Sequence, residues 1–244
     1  MSGHSKWSTI KRAKGVTDAA RGKKFTRHAK NIELAARLGG GDPAMNAVLA
    51  TAIENSKADN FPKENIERAI KKGIGALEGQ RIEEKIYEGY APGGVALLIR
   101  ALTDNPNRTI ANIRHLLSKG GGKIAESGSV VFQFEKKGII TVAGNSEALE
   151  LAAIDAGADD VESAGEKLVV KTKAKDLAAV RKNLLAQNLK VESAELTFEP
   201  TSEIKIEDAE TAKKILNLIE TLEEDDDIDS VAANFDIPEN LLGE

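Results

Sequence analysis

The spacing of the apolar residues changes after Gly79, and this change constrains the fold more than any other feature of the sequence. Before Gly79 the apolar residues recur every three or four positions, as they do on the buried face of a helix. After it, short runs with strand patterning alternate with helical segments. At 244 residues the chain is also longer than a typical domain of about 100–150 residues. The sequence therefore predicts an α+β protein with a helical N-terminal part and two α/β domains.

The region 21–75 is predicted to form a bundle of three helices. The first covers residues 21–38, and the second follows Gly39-Gly40-Gly41, with Asp42 as its cap and Pro43 at its first position. The third runs from about Pro62 to Gly73. The apolar stripes predicted to face the bundle core are Phe25, Ala29, Ile32 and Ala36 in the first helix, Met45, Val48, Leu49, Ala52 and Ile53 in the second, and Ile66, Ala69 and Ile70 in the third.

Strands and helices are predicted to alternate in the remainder of the chain. Predicted strands cover residues 85–90, 95–103, 129–135, 139–142, 160–163, 167–172, 190–198, 204–206 and 230–235, and predicted helices cover residues 107–119, 146–156, 175–188 and 209–223. Lys136-Lys137-Gly138 is predicted to separate the strands at 129–135 and 139–142. The order β-α-β-β-α-β over residues 139–198 is that of a ferredoxin-like domain.

This order of elements predicts that one domain is inserted into another. The last helix and strand are too few to fold alone, but they would complete the domain that begins near residue 81. We therefore predict three parts: a basic arm and helical bundle (1–80), a middle α+β domain (81–136 plus 200–244), and an inserted ferredoxin-like domain (137–199).

Charge is distributed very unevenly along the chain. Ten of the first 37 residues are Lys or Arg and two are acidic, which leaves eight net positive charges on this segment. Because the whole chain carries −5, residues 38–244 carry −13. DNA or RNA would be attracted to the N-terminal segment and repelled by the rest, so the sequence favours nucleic-acid binding.

Cations and one aromatic residue are the candidate contacts to nucleic acid. Trp7 is a candidate for stacking on a base, and packing of its ring onto the bundle is an equally weighted alternative. A second basic stripe, with Arg108 and Lys119 at its ends, lies on the helix predicted at 107–119, where an ordinary solvated helix face is the alternative. The predicted nucleic-acid-binding residues are Lys6, Trp7, Lys11, Arg12, Lys14, Lys23, Lys24, Arg27, Lys30, Arg37, Arg108 and Lys119.

The sequence offers no pattern typical of a catalytic or metal site. There is no Cys, and the three His residues are not spaced as metal ligands. The acidic run 223–227 is predicted to be a solvated loop rather than a magnesium site. We therefore expect no enzyme activity, no cofactor and no small-molecule substrate. No apolar run is long enough to cross a bilayer and the N-terminus lacks the apolar core of a signal peptide, so a cytoplasmic location without membrane contact is expected.

Several longer motifs occur in order along the chain and resemble the signatures of the YebC/PmpR family. They are Gly3-His4-Ser5-Lys6-Trp7, Arg21-Gly22-Lys23 with Phe25-Thr26, Gly39-Gly40-Gly41-Asp42-Pro43, residues 65–73, residues 87–94, Asp104-Asn105 with Asn107-Arg108-Thr109, and Gly128-Ser129-Val130 before Phe134. The resemblance implies a cytoplasmic, three-domain, DNA-binding transcriptional regulator. Related members, including a mitochondrial branch, act in translation. Because the first residues match, no removable presequence is expected.

Two functions follow from the sequence and this resemblance. The first is transcriptional regulation through DNA. The alternative is a ribosome-associated factor or translational activator, in which the same basic arm contacts ribosomal RNA. The partners expected are therefore nucleic acid and either the transcription machinery or the ribosome. No recognition helix of the helix-turn-helix type is evident in the sequence.

Overall fold

The structure, a computed structural model, describes residues 18–238, with side chains from residue 21 onward. Its N-terminal part contains the helices α1 (Asp18–Gly39), α2 (Ala47–Ala58) and α3 (Lys63–Gly73). They enclose one apolar core, whose fully buried members include Ile32 and Leu49. Gly73 lies close to α1, because a Cβ at this position would come within 2.4 Å of the Glu33 carbonyl oxygen. The predicted three-helix bundle is confirmed.

The start of the second helix differs from the prediction. Asn46, not Asp42, is the N-cap: its Oδ1 accepts the Leu49 N–H at 3.0 Å. Its Nδ2 donates to the carbonyls of Ala35 and Gly40, both at 2.8 Å, which fixes the turn against α1. Asp42 instead accepts the Ala44 N–H within that turn.

Because α2 begins later than predicted, the apolar stripe assigned to it is only partly buried. Leu49 and Ile53 lie in the bundle core and Ala52 packs against it. Met45 and Val48 were predicted to be buried, but they are 85% and 62% exposed. The prediction for these two residues was therefore wrong.

After the bundle, strands and helices alternate. In chain order the elements are β1 (Glu83–Tyr90), β2 (Ala96–Thr103), α4 (Pro106–Lys119), β3 (Lys123–Ile124), β4 (Phe134–Ala143), α5 (Glu147–Asp155), β5 (Asp160–Ala164), β6 (Lys167–Lys173), α6 (Leu177–Ala186), β7 (Val191–Pro200), β8 (Ile204–Lys205), α7 (Ala209–Glu223), β9 (Ile228–Ala233) and β10 (Phe235–Asp236). The predicted α+β class, with a helical N-terminal part followed by α/β domains, is confirmed.

Residues 80–135 and 198–238 lie in one compact unit together with residues 18–23 at the start of α1, and we call residues 80–135 and 198–238 the middle unit. Its sheet has the strand order β3-β1-β2-β9, and the neighbouring strands are antiparallel. Leu97 and Ile99 of β2 pack in one core with α4 and α7, whereas Leu98 faces the other side together with Val130 and Phe134. The strand β2 is therefore covered on both faces.

The segment between the two sheets also differs from the prediction. Residues 131–133 form a short 3₁₀ turn, not a strand, and β4 then runs without a break from Phe134 through Lys136-Lys137-Gly138 to Ala143. Gly138 was predicted to lie between two strands, but it lies within β4, where this strand approaches β6. A Cβ there would come within 2.4 Å of Thr172 Oγ1, so the glycine allows this close approach.

Residues 24–79 and 136–197 lie in the second compact unit. The sheet of this unit has the order β5-β6-β4-β7, and α5 and α6 share one core with it. The elements follow the predicted β-α-β-β-α-β order, with the strand arrangement of a ferredoxin-like domain. Asn55 of α2 bonds both backbone groups of Ala194 in the edge strand β7, at 2.6 Å and 3.1 Å. The division into three domains with one inserted stays a prediction.

Candidate nucleic-acid interface

The helix α1 carries the predicted cations on the face that points away from the bundle core. Lys23, Arg27, Lys30 and Arg37, which were predicted to bind nucleic acid, are each half-buried. Lys23 donates to the main-chain carbonyl of Glu224. Arg27 and Arg37 have no ion pair within the described part of the chain. Of the α1 cations predicted to bind nucleic acid, these two arginines are the ones best placed to meet a phosphate.

Lys24 is occupied by a contact inside the bundle. Its Nζ lies 2.7 Å from Asp59 Oδ1, and His28 Nε2 lies 2.8 Å from Asp59 Oδ2. Burial raises the pKa of Asp59, but the bonds from Lys24 and His28 outweigh burial and hold this pKa below its usual value. Lys24 therefore stabilises the link between α1 and the end of α2, and much of its charge is already offset.

Further cations lie on α3. None of them was among the predicted nucleic-acid-binding residues. Arg68, Lys71 and Lys72 are exposed. Gly73 follows them, and a Cβ on it would lie 3.2 Å from the Arg37 backbone nitrogen, so the end of α3 adjoins the end of α1. In the sequence these cations are spaced so that they fall on the helix face opposite Ile66 and Ala69, which are buried. This spacing could have predicted that they are exposed. Together with Arg37 they form a basic edge at this end of the bundle.

Five of the predicted nucleic-acid-binding residues belong to the N-terminal arm. Lys6, Trp7, Lys11, Arg12 and Lys14 lie outside the described residues. Their proposed contacts to nucleic acid stay predictions, as does the choice between a stacking and a packing role for Trp7.

Arg108 takes part in a polar cluster at the start of α4. Its Nη2 lies 2.7 Å from Asp227 Oδ2 and 2.9 Å from Asp104 Oδ1. The hydroxyl of Thr109 also donates to Asp227, at 2.9 Å. The hydrogen bond to Asp227 and the charge of Asp227 are the main causes that raise the pKa of Arg108. Both favour the protonated, positively charged guanidinium. Two carboxylates already offset this charge, which weighs against a strong phosphate contact by Arg108.

The same cluster changes the interpretation of the acidic run 223–227. This run was predicted to be a solvated loop, but Asp227 is only 6% exposed. It accepts bonds from Arg108 and Thr109 and therefore stabilises the packing between the start of β9 and α4. The prediction was wrong for this residue because the partners lie more than 100 positions away.

The rest of the basic stripe on α4 is exposed. Asn112 bonds Asp225 at 3.3 Å, whereas His115 and Lys119 point to solvent without a polar partner among the described residues. Lys119 thus has the exposure that a phosphate contact needs, and its role stays a prediction. Within residues 18–238, no three His, Asp or Glu side chains are grouped as a metal site, and no helix has the length and apolar character of a membrane span.

Comparison with known proteins identifies the family. Residues 5–76 match the TACO1/YebC protein N-terminal domain, and residues 82–235 match the TACO1/YebC second and third domain. The chain is 49% identical to a protein of Gemmatimonas aurantiaca, over 100% of both chains, and 48% identical to one of Treponema pallidum, over 99% and 100%. Both relatives are named probable transcriptional regulatory protein.

A solved structure agrees with this assignment. The crystal structure of a conserved hypothetical protein from Aquifex aeolicus superposes with a TM-score of 0.89 at 47% identity, covering 93% of this chain and 95% of that one. Because the family domains together span most of the sequence, the chain belongs to the TACO1/YebC family.

Proposed function

We propose that this protein is a nucleic-acid-binding regulator of gene expression that uses its N-terminal arm and helical bundle to contact the phosphate backbone. The observation that carries the proposal is the separation of charge, with eight net positive charges on residues 1–37 and −13 on the remainder. Salt-sensitive attraction of a polyanion to the N-terminal part follows from this separation. Within the bundle the contacts are assigned to Arg27 and Arg37 of α1 and to the basic edge of α3.

DNA is the first candidate ligand. The relatives are named probable transcriptional regulatory proteins, and this name supports a role in transcription for the present chain. The regulator acts in the cytoplasm and works by binding, without catalysis or a cofactor.

Ribosomal RNA is the second candidate, and the acidity of the remaining chain favours it. A bare duplex would be repelled by residues 38–244. On a ribosome the acidic domains would face basic ribosomal proteins while the arm contacts RNA. The protein would then act as a translation factor with the same binding surface.

Cross-linking in living cells separates these candidates. The tagged protein is cross-linked, purified under denaturing conditions, and the attached nucleic acid is sequenced. Enrichment of promoter DNA would support the transcriptional role, and enrichment of ribosomal RNA with co-sedimentation on ribosomes would support the translational one. If neither were enriched over a tagged unrelated protein, the proposed function would be wrong.

A further inference from the structure

Phe132 is an exposed aromatic residue on a loop that is held firmly on both sides. It lies in the 3₁₀ turn Val131–Gln133 of the middle unit, and 72% of its surface is exposed. An exposed phenylalanine gains nothing from burial in the isolated chain. The residues on either side of it, by contrast, are bonded to buried groups of the middle unit.

A buried carboxylate fixes the chain before Phe132. Glu88 of β1 is 6% exposed, and its Oε1 accepts the Gly128 N–H at 2.6 Å. Its Oε2 accepts the N–H groups of Val130 and Val131 at 2.5 Å and 2.9 Å. Burial raises the pKa of Glu88, but these three bonds outweigh burial and lower it, so the ionised carboxylate holds the loop.

A second set of bonds fixes the chain after Phe132. The Gln133 carbonyl accepts the backbone N–H and the hydroxyl of Thr201, at 2.8 Å and 3.1 Å. The Gln133 side-chain oxygen accepts from Asn234 at 3.0 Å, and Asn234 in turn accepts the Ala96 N–H of β2 at 2.7 Å. The loop is thus tied to β1, β2 and the segment after β9, and the backbone that carries Phe132 is held in place on both sides.

Two further apolar side chains are exposed, one in this loop and one on β1, the strand that holds the loop through Glu88. Val131 is 37% exposed, and Ile86 of β1 is 41% exposed. Ile86 lies two residues before Glu88, so both side chains point to the same face of the sheet. Phe132, Val131 and Ile86 form what we call the Phe132 patch.

The charge around the Phe132 patch is negative. The exposed Glu126 and Glu135 lie on either side of the loop, and Arg100, paired with Glu84 and Asp229, occupies the sheet beside Ile86. Residues 80–135, which contain the loop, carry a net charge of +1, and residues 198–244, which Thr201 joins to the loop through Gln133, carry −12. An acidic surface repels nucleic acid and attracts basic protein segments. Lys136 follows Glu135 directly and could contact a phosphate. The experiment below therefore also distinguishes nucleic acid from a protein partner.

We propose that the Phe132 patch is a docking surface for a basic segment of a partner protein, with Phe132 as the anchor that packs against apolar side chains of that segment. Exposed aromatic residues on a fixed backbone are suited to be binding hot spots, because little backbone entropy is lost when they are buried. The surface lies in the middle unit and the proposed nucleic-acid contacts lie in the bundle. The proposal therefore does not depend on which nucleic acid the bundle binds.

The test uses the full-length protein in cells. Phe132 is replaced by the photo-crosslinking amino acid p-benzoylphenylalanine, and in a control Leu151, which is 59% exposed on α5, is replaced in the same way. The segment that cross-links at position 132 is identified by mass spectrometry and made as a synthetic peptide. This peptide is then titrated against the wild-type protein, Phe132→Ala and Leu151→Ala.

We expect a net basic protein segment that cross-links at position 132 and not at 151. The peptide should bind Phe132→Ala at least about tenfold more weakly than wild type, with Leu151→Ala unchanged. Phe132→Ala should unfold at the same temperature as wild type, because the ring is exposed. Cross-links to nucleic acid, to a second copy of the chain or to an acidic segment would overturn the proposal. So would equal labelling from both positions, no cross-link, or no loss of affinity in Phe132→Ala.

Discussion

Replacing Glu88 by Gln should destabilise the middle unit strongly, although the two side chains have almost the same shape. A hydrogen bond to a charged group contributes about 1.5–3 kcal/mol, and one between neutral groups about 0.5–1.5 kcal/mol. The single oxygen of a glutamine would keep the two bonds at Oε2, each weakened by about 1 kcal/mol. Its NH₂ group would face the Gly128 N–H and leave that donor unpaired, at a cost of about 1–3 kcal/mol. The free energy of unfolding should therefore fall by about 3–5 kcal/mol.

Urea denaturation followed by circular dichroism measures this loss, and hydrogen exchange at the Val130 and Val131 amides localises it. Glu126→Gln is the matched control, because its carboxylate lies near the same loop but is exposed. The control should change stability by no more than about 0.5 kcal/mol. A loss below about 1 kcal/mol in Glu88→Gln, or an equal loss in the control, would refute the assigned role of the buried carboxylate.

The same residue predicts a dependence on pH. Because the pKa of Glu88 is lowered in the folded protein, its ionised form stabilises the fold at pH values above the ordinary glutamate pKa of about 4.3. This contribution is lost as the pH falls below that value and through the lower folded pKa. Wild type should therefore lose stability more steeply than Glu88→Gln over this acidic range. Parallel curves for the two proteins would show that Glu88 does not titrate as described.

Three further outcomes are expected. Asn46→Ala should lower the free energy of unfolding, measured by urea denaturation, by about 2–4 kcal/mol, because it removes a helix cap and two bonds to α1 and the turn before α2. Asp42→Ala should lower it by less than about 1 kcal/mol. Arg108→Ala should lower the melting temperature, because Asp227 is left buried without its cation. The salt dependence of nucleic-acid binding should stay unchanged, and a smaller one would show that Arg108 does contact a phosphate. Replacing residues 137–199 by a short Gly/Ser linker should leave the middle unit folded, whereas ending the chain after residue 136 removes α7 and β9 and should unfold it; the reverse pattern in circular dichroism would contradict the domain nesting.

Much of the fold could be predicted because local patterns and tertiary packing agree. The helix predicted at 209–223 has these same bounds in the structure, since Asp208 caps it and a regular apolar stripe faces the core. The strand order of the ferredoxin-like domain follows from its sequence of elements. The failures occur where two local signals compete. Asp42 and Asn46 are both good cap residues, and Asn46 caps α2 because it also bonds Ala35 and Gly40.

The less predictable features depend on partners that are distant in the sequence. Nothing near Glu88 shows that its carboxylate will accept three N–H groups some forty residues later. Asp227 looks like any member of an acidic run until β9 brings it to Arg108 and Thr109. The cations of α3 could have been assigned to the interface from their helical spacing. The closeness of Lys72 to Arg37, by contrast, depends on the tight contact of Gly73 with α1.

The salt dependence of binding tests the central claim that the N-terminal part holds nucleic acid through phosphate contacts. Two full-length variants with equal net charge are compared, each with four cations changed to Ala. The changes in the first are Arg27→Ala, Arg37→Ala, Lys71→Ala and Lys72→Ala, and those in the control, at exposed positions outside the bundle, are Lys173→Ala, Lys175→Ala, Lys182→Ala and Lys213→Ala. Affinity for a DNA duplex and for a structured ribosomal RNA fragment is measured between low and physiological salt.

Each lost phosphate contact should reduce the slope of log affinity against log salt by about 0.9 on duplex DNA. The first variant should therefore lose about 2–4 units of slope on the ligand that the protein uses, and the control should keep the wild-type slope. Equal slopes for wild type and the first variant, or an equal loss in both variants, would contradict the assignment of nucleic-acid binding to the bundle.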